Sequence, residues 1–166
     1  MSANPQAAPV LVVGGGIGGL TAALALSRKG IPVQVLEQAA EFKEIGAGIQ
    51  LGPNVFRMFE VLGLTDAIFR WAAFPESLEM RDSMTGESVV EMRIDRLYDR
   101  YNAPYGVIHR ADLLDRIHDA CRASNLIELL PSRKVVSIED TGNGVTVHTE
   151  GGETYKGAAL IGCDGL

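Results

Sequence analysis

Cysteine is scarce in this chain, with only Cys121 and Cys163 among 166 residues. One falls in a helical pattern and one in a strand pattern, which reads as reduced, buried thiols of a cytoplasmic protein. No further cluster of ligand residues accompanies them, so a zinc site is excluded. The net charge of −6 comes without any block of one sign, and nothing suggests a nucleic-acid surface. No apolar run reaches transmembrane length, so no membrane partner is expected. Met1 to Pro9 is small and polar, without the charged and apolar regions of a secretory signal. Residues 1–9 are expected to be disordered. No internal repeat is visible. What is present is 46% apolar and 22% charged residues, the composition of a globular domain large enough for a proper core.

The most informative stretch is Val10-Leu-Val-Val-Gly-Gly-Gly-Ile-Gly-Gly-Leu20. An apolar strand runs directly into Gly14-x-Gly16-x-x-Gly19, followed by helix-forming residues to Arg28. A second apolar segment, Ile31 to Leu36, ends on Glu37, eighteen residues after Gly19. Glycine-rich turns are common, but strand, glycine turn, helix, strand and terminal acid in this order make a dinucleotide fingerprint. Gly14 permits the tight turn. Gly16 lets a pyrophosphate approach the backbone, and Gly19 lets the helix pack close to the sheet. Unpaired amides of the first helical turn and the helix dipole favour phosphate there. Glu37 would accept hydrogen bonds from the ribose hydroxyls of an adenosine. The alternative is a tight turn without a ligand and an exposed glutamate.

Residues 10–37 thus form a β-α-β unit. Residues 42–53 read as a glycine-bearing loop. A helix opened by Pro53 carries apolar Val55, Phe56, Phe59 and Leu62 and stops at Gly63. Phe56, Met58 and Phe59 are assigned to the core. A short helix follows over 65–71. Residues 78–84 and 88–94 alternate around Thr85-Gly86-Glu87 as a hairpin. Residues 105–109 form a short strand and 112–123 a helix. Strands are expected at 127–130, 135–139, 145–149 and 159–163, with a turn at Gly142-Asn143-Gly144. The prediction is an α/β fold over 10–166 in which antiparallel strands interrupt a nucleotide-binding layer, with 78–109 in a second, substrate-facing β layer. Residues 158–166 read as a buried strand leading into a functional turn. The chain is therefore expected to be the N-terminal part of a longer protein and inactive alone.

Three further segments join the glycine loop: Gly46-Ala-Gly-Ile-Gln-Leu-Gly-Pro-Asn54, Val107-Ile-His-Arg-Ala-Asp-Leu113 and Gly162-Cys-Asp-Gly165. With them in this order, the chain resembles the FAD-dependent aromatic hydroxylases, the single-component flavoprotein monooxygenases, from about Val10 to Gly165. The segments around Gln50, from Pro104 to Arg110 and from Ile161 to Gly165 are similar to the branch acting on 3-hydroxybenzoate. Gln50 stands where the 6-hydroxynicotinate branch has a histidine thought to act as a base. An amide cannot take a proton at neutral pH, so no base role is carried over.

The resemblance implies a Rossmann-like FAD-binding domain of the glutathione-reductase type with inserted antiparallel strands. It puts Gly14, Gly16 and Gly19 around the FAD pyrophosphate with Ile17 at its edge. Glu37 takes the adenosine ribose with Gln38 beside it, and Val135 lines the adenine pocket. Gln50 would sit on a loop near the flavin, the one candidate close to the reacting ring, and no residue is assigned as catalytic. Arg110 would pair with flavin phosphate or bond the ribityl chain through its planar fork. Asp164 and Gly165 would belong to a motif used for both FAD and NAD(P)H. Simpler readings stand beside these: Arg110 as a helix opener or surface ion pair, Gln50 bonded to loop backbone, Asp164 as a turn residue. His109 reads as a packed or hydrogen-bonded strand residue, and Arg81, Arg93 and Arg96 as solvated charges. The implied activity is hydroxylation of a small aromatic acid, 3-hydroxybenzoate to gentisate, with bound FAD, dioxygen, and NADH or NADPH as transient co-substrate. Alternatives are decarboxylating hydroxylation of salicylate, another FAD oxidoreductase on the same scaffold, a nicotinamide dehydrogenase, and a non-enzymatic dinucleotide sensor.

Overall fold

The computed structural model describes residues 8–43, 46–140 and 142–165. In chain order the elements are β1 (Val10–Val13), α1 (Ile17–Ser27), β2 (Val33–Leu36), β3 (Gly48–Leu51), α2 (Pro53–Leu62), α3 (Thr65–Phe69), β4 (Ser77–Arg81) and β5 (Ser88–Arg93). They continue with α4 (Leu97–Tyr101), β6 (Gly106–His109), α5 (Arg110–Arg122), β7 (Ile127–Leu130), β8 (Val135–Asp140), β9 (Val145–Thr149), β10 (Thr154–Gly157) and β11 (Ala159–Gly162). They fall into two compact units, residues 1–44 with 114–166, and residues 45–113.

The first unit is built on a parallel sheet ordered β11-β1-β2-β7. Successive strand residues point to opposite faces. Leu11 and Val12 of β1 and Val35 and Leu36 of β2 are all buried, so both faces of the sheet centre are covered. On one side α1 packs against β1, β2 and β7 through Gly19, Leu20, Ala23 and Leu24. Leu114, Ile117 and Cys121 of α5 are buried in the same unit, and the Cys121 thiol reaches the Leu20 carbonyl at 3.3 Å. On the other side Leu11 and Leu36 meet Val147 of β9, with Val145, Val135 and Tyr155 packed around them. There β8, β9 and β10 form an antiparallel sheet of their own. Strand β10 was not expected, because Thr-Tyr-Lys-Gly carries no apolar alternation; its partner β9 and the Gly151-Gly152 turn make it a strand. Cys163 follows β11 instead of ending it and is half-buried, contrary to the buried strand position expected. The expected disorder of residues 1–9 lies, for 1–7, outside the described residues. At Pro9 it is overturned, because the Pro9 carbonyl accepts the Ala158 amide at 2.8 Å.

In the second unit α2 starts on Pro53 and is closed by left-handed Gly63, with Phe56, Phe59 and Leu62 buried. Met58 was assigned to the core and is 52% exposed. It stands two residues from Phe56, about 200° around the helix and so off the buried stripe. Phe56 collects Phe59, Phe69 and Phe74 with ring centroids 5.5–5.8 Å away. Residues 48–51, expected within a loop, form β3 and pair antiparallel with β6. The glycines there flank an alternating Ile49 and Leu51 and do not break the strand; residues 44 and 45 of that loop lie outside the described residues. The hairpin β4–β5 forms as expected, and the Asp82 carboxylate closes its turn by accepting the Met84 and Thr85 amides at 2.8 Å. Helix α3 ends at Phe69, two residues early, and α5 begins at Arg110, two residues before the expected start. Helix α4 was missed, since five residues show no periodicity. Residues 78–109 fall within this unit, which also takes in β3, the partner of β6, and α2, tied to Phe74 through the Phe56 cluster. No helix among the described residues is long and apolar enough to cross a membrane.

Burial pushes the Cys121 thiol up to about 12, and the thiolate is the reactive form. Cys121 should therefore resist a thiol reagent at pH 8 in the native protein and react once the chain is denatured, as mass spectrometry of the labelled peptides will show.

Candidate functional site

The parallel strands are aligned so that Val13, Leu36, Leu130 and Gly162 end at one level. In open α/β sheets this carboxyl edge is where ligands sit. Three amides just past the strand ends continue the ladder: Gly14 to the Leu36 carbonyl at 2.8 Å, Glu37 to Leu130 at 2.9 Å, and Cys163 to Val13 at 2.7 Å. They bring the glycine loop, the acid and the Cys163-Asp164-Gly165 segment together around a cavity of about 410 Å³. Gly14, Gly16, Glu37, Gln38, Val135, Asp164 and Gly165, seven of the residues singled out by sequence, line it.

The glycines of the motif do different things. Gly14 has φ +103°, and a Cβ on it would lie 2.4 Å from the Cys163 carbonyl oxygen. At Gly19 a Cβ would lie 1.9 Å from the Gly14 carbonyl oxygen, so this residue lets α1 close onto the loop. Gly16 is different: beyond its chain neighbours, no atom of the described residues comes within 4 Å of where its Cβ would be. Its smallness answers no need of the fold and leaves open space at the cavity wall. Gly16 is also the N-cap of α1, in extended conformation, without a side-chain cap and without an acid in the first turn. The orphan amides of that turn are available to an anion.

Glu37 is held on several sides. Its carboxylate accepts the Gly15 amide at 2.5 Å and the Ala39 amide at 2.8 Å, and its carbonyl accepts the Arg133 amide at 2.7 Å. Beside it, the Arg133 guanidinium donates to the Tyr155 hydroxyl at 2.7 Å and pairs with Glu153 at 3.2 Å, while Lys134 pairs with Glu150 at 2.9 Å. Burial and the neighbouring Asp164 raise the Cys163 thiol above its ordinary range, and the residue lines the cavity.

The remaining candidates fall elsewhere. Ile17 opens α1 and Gly19 is buried beneath the loop; neither is among the lining residues. Gln50 and Arg110 belong to the second unit. Gln50 is exposed on β3, opposite Val107, and not on a loop. Arg110 opens α5, its amide donates to the Ala47 carbonyl at 3.2 Å, and its side chain lies against Gly46. Among the described residues no group of three acids, histidines or cysteines is arranged to hold a metal. Sequence reasoning passed over Arg133, Lys134 and Gly15. The basic pair immediately before Val135 and the third glycine in a row were the available signals.

A family model described as FAD binding domain matches residues 7–166. The 3-hydroxybenzoate 6-hydroxylase of Polaromonas naphthalenivorans (strain CJ2) is 44% identical over 167 residues, covering 100% of this chain and 42% of that protein. The enzyme of the same name from Klebsiella oxytoca is 42% identical, covering 93% and 39%. Klebsiella pneumoniae HpxO, whose crystal structure is a complex with FAD and uric acid, superposes with a TM-score of 0.81 at 29% identity, over 95% of this chain and 39% of that one. The chain spans about two-fifths of the length of the curated relatives it matches.

The contrast between Gly19 and Gly16 gives a stability test. Gly19→Ala should lower the unfolding free energy by about 1–3 kcal/mol through overpacking. Gly16→Ala should cost about 1 kcal/mol or less, the effect of a poorer N-cap residue. Equilibrium denaturation of the two variants checks the order.

Proposed function

The chain belongs to the FAD binding domain family, and on that premise we propose that it is the FAD-binding part of an aromatic hydroxylase that converts 3-hydroxybenzoate to gentisate. NADH or NADPH and dioxygen are the co-substrates, and a cytoplasmic location suits an enzyme supplied with reduced nicotinamide. The observation that carries the substrate is the 44% and 42% identity to two 3-hydroxybenzoate 6-hydroxylases. The order β11-β1-β2-β7, with the glycine turn between β1 and α1, supports a Rossmann-like domain of the glutathione-reductase type.

The residues at the carboxyl edge fit FAD. The open space over Gly16 would be filled by the pyrophosphate, which the uncapped amides of α1 can hydrogen-bond. Glu37 lines the same cavity, and each of its oxygens has a further lone pair for a ribose hydroxyl. Gln38 stands beside it, Val135 offers an apolar wall for adenine, and Asp164 and Gly165 close the edge next to Gly14. Arg133 and Lys134 also line the cavity, each with its charge already paired to a glutamate. When bound, the flavin supplies the redox chemistry, accepting electrons from the nicotinamide and activating dioxygen toward the ring. This chain's part is to bind and orient it. A phenol activates its para carbon, so positioning of the ring decides the product.

Glu37→Ala in the full-length protein removes a charged acceptor, worth roughly 1.5–3 kcal/mol, and should weaken FAD binding roughly ten- to hundredfold. Flavin fluorescence titration measures this, and wild-type affinity in the variant would remove Glu37 from the site.

Product chromatography with a carbon dioxide measurement, run on full-length enzyme with hydroxybenzoates and both nicotinamides, tests the reaction. Gentisate from 3-hydroxybenzoate is the expected outcome. Catechol and carbon dioxide from salicylate, without gentisate, would overturn the substrate.

A further inference from the structure

Gly15 occupies the variable position of the Gly14-x-Gly16-x-x-Gly19 motif, where the motif itself asks for no particular residue. It is not among the glycines with positive φ, so no backbone conformation requires it either. The requirement is steric. A Cβ on Gly15 would lie 2.3 Å and 2.5 Å from the Cε1 and Cδ1 atoms of Phe42, and 3.0 Å from the Glu37 Cβ. The Phe42 ring thus rests directly on the Gly15 backbone. The Gly15 amide in turn donates to Glu37 Oε2 at 2.5 Å. Glu37 and Phe42 both belong to the segment that follows β2, and together they grip one peptide of the glycine loop.

The ring has its own support. Phe42 stacks on His118 of α5 with centroids 5.1 Å apart and planes 24° from parallel. Burial first, and then the charge of Arg122, hold the His118 imidazole below its ordinary range. At neutral pH the group behind Phe42 is therefore an uncharged ring, suited to stacking. Residue 15 is one peptide away from Gly16 and two from the first helical residue, Ile17. Among the described residues no side chain caps that helix end, so the direction of its amides is set by the backbone that leads into it. A rigid donor set binds an anion without first having to be ordered.

We propose that Phe42, backed by His118, is a positioning residue for the cofactor: by packing on Gly15 while the Gly15 amide is bonded to Glu37, it fixes the glycine-loop amides in the arrangement that receives the FAD pyrophosphate. This rests on the FAD reading of the same cavity.

The test is a double-mutant cycle in the full-length protein, with FAD dissociation constants from fluorescence titration and apoprotein melting temperatures measured for each variant. Phe42→Ala should weaken FAD binding several-fold at a temperature where the apoprotein remains folded. Gly15→Ala should weaken it by about tenfold with the ring in place, and less in the Phe42→Ala background, where the two ring clashes are gone and only the Glu37 Cβ stays close. His118→Ala should reproduce part of the Phe42→Ala effect. Equal penalties for Gly15→Ala in both backgrounds would overturn the proposal. If Gly15→Ala fails to fold, Phe42→Ala alone decides, and a lowered melting temperature with unchanged FAD affinity would leave Phe42 a packing residue only. A wild-type protein that does not bind FAD would instead sink the functional reading.

Discussion

Everything at the candidate site depends on the common level at which β1, β2, β7 and β11 end. Parallel strands in register carry no side-chain chemistry, but they decide which residues come next to one another when the chain leaves the sheet. Here the amides of Gly14, Glu37 and Cys163 each take one more ladder bond beyond the last strand residue. That single extra bond per strand converts three segments distant in sequence into one rim. The Gly14 backbone lies so near Cys163 that only a residue without a side chain fits between them. A one-residue slip of β11 against β1 would move that contact and turn the strand's side chains to the opposite face.

The carboxylate of Glu37 belongs both to the architecture and to the cavity. It accepts two backbone amides, Gly15 and Ala39, before any ligand arrives. A backbone donor in the glycine loop would otherwise be left without a partner, so the acid is part of the loop's own hydrogen bonding. Loss of the side chain therefore acts on loop geometry and on the cavity wall together. The coupling is local, since both amides lie within a few residues of the β1 and β2 ends.

Much of this was legible in the sequence, for physical reasons. The first β-α-β unit announces itself because apolar strands and a glycine turn leave few other ways to satisfy the backbone. Glycine-bearing 48–51 was misread because breakers next to a strand look like breakers within one; the partner β6, more than fifty residues away, is what makes it a strand. Met58 was misplaced because adjacency to apolar neighbours was taken for a share in their stripe, whereas α2 buries only Phe56, Phe59 and Leu62. At the site, the roles of Gly14 and Gly19 could be assigned from spacing. The role of Gly15 could not, because its constraint comes from the ring of Phe42, which no local pattern foretells. Arg133 and Lys134 likewise enter only through the meeting of β7 and β8 with the end of β2.

The bond between Pro9 and Ala158 has a practical side. It fastens the chain at the amino edge of β1, whereas the cavity opens at the carboxyl edge, one strand length or roughly 13 Å away. Residues 8 and 9 therefore lie at the end of the sheet opposite the glycine loop. A fluorescent reporter attached at exposed Ala8 thus stands one strand length from the rim, and its signal answers to the amino edge of the sheet and not to the cavity.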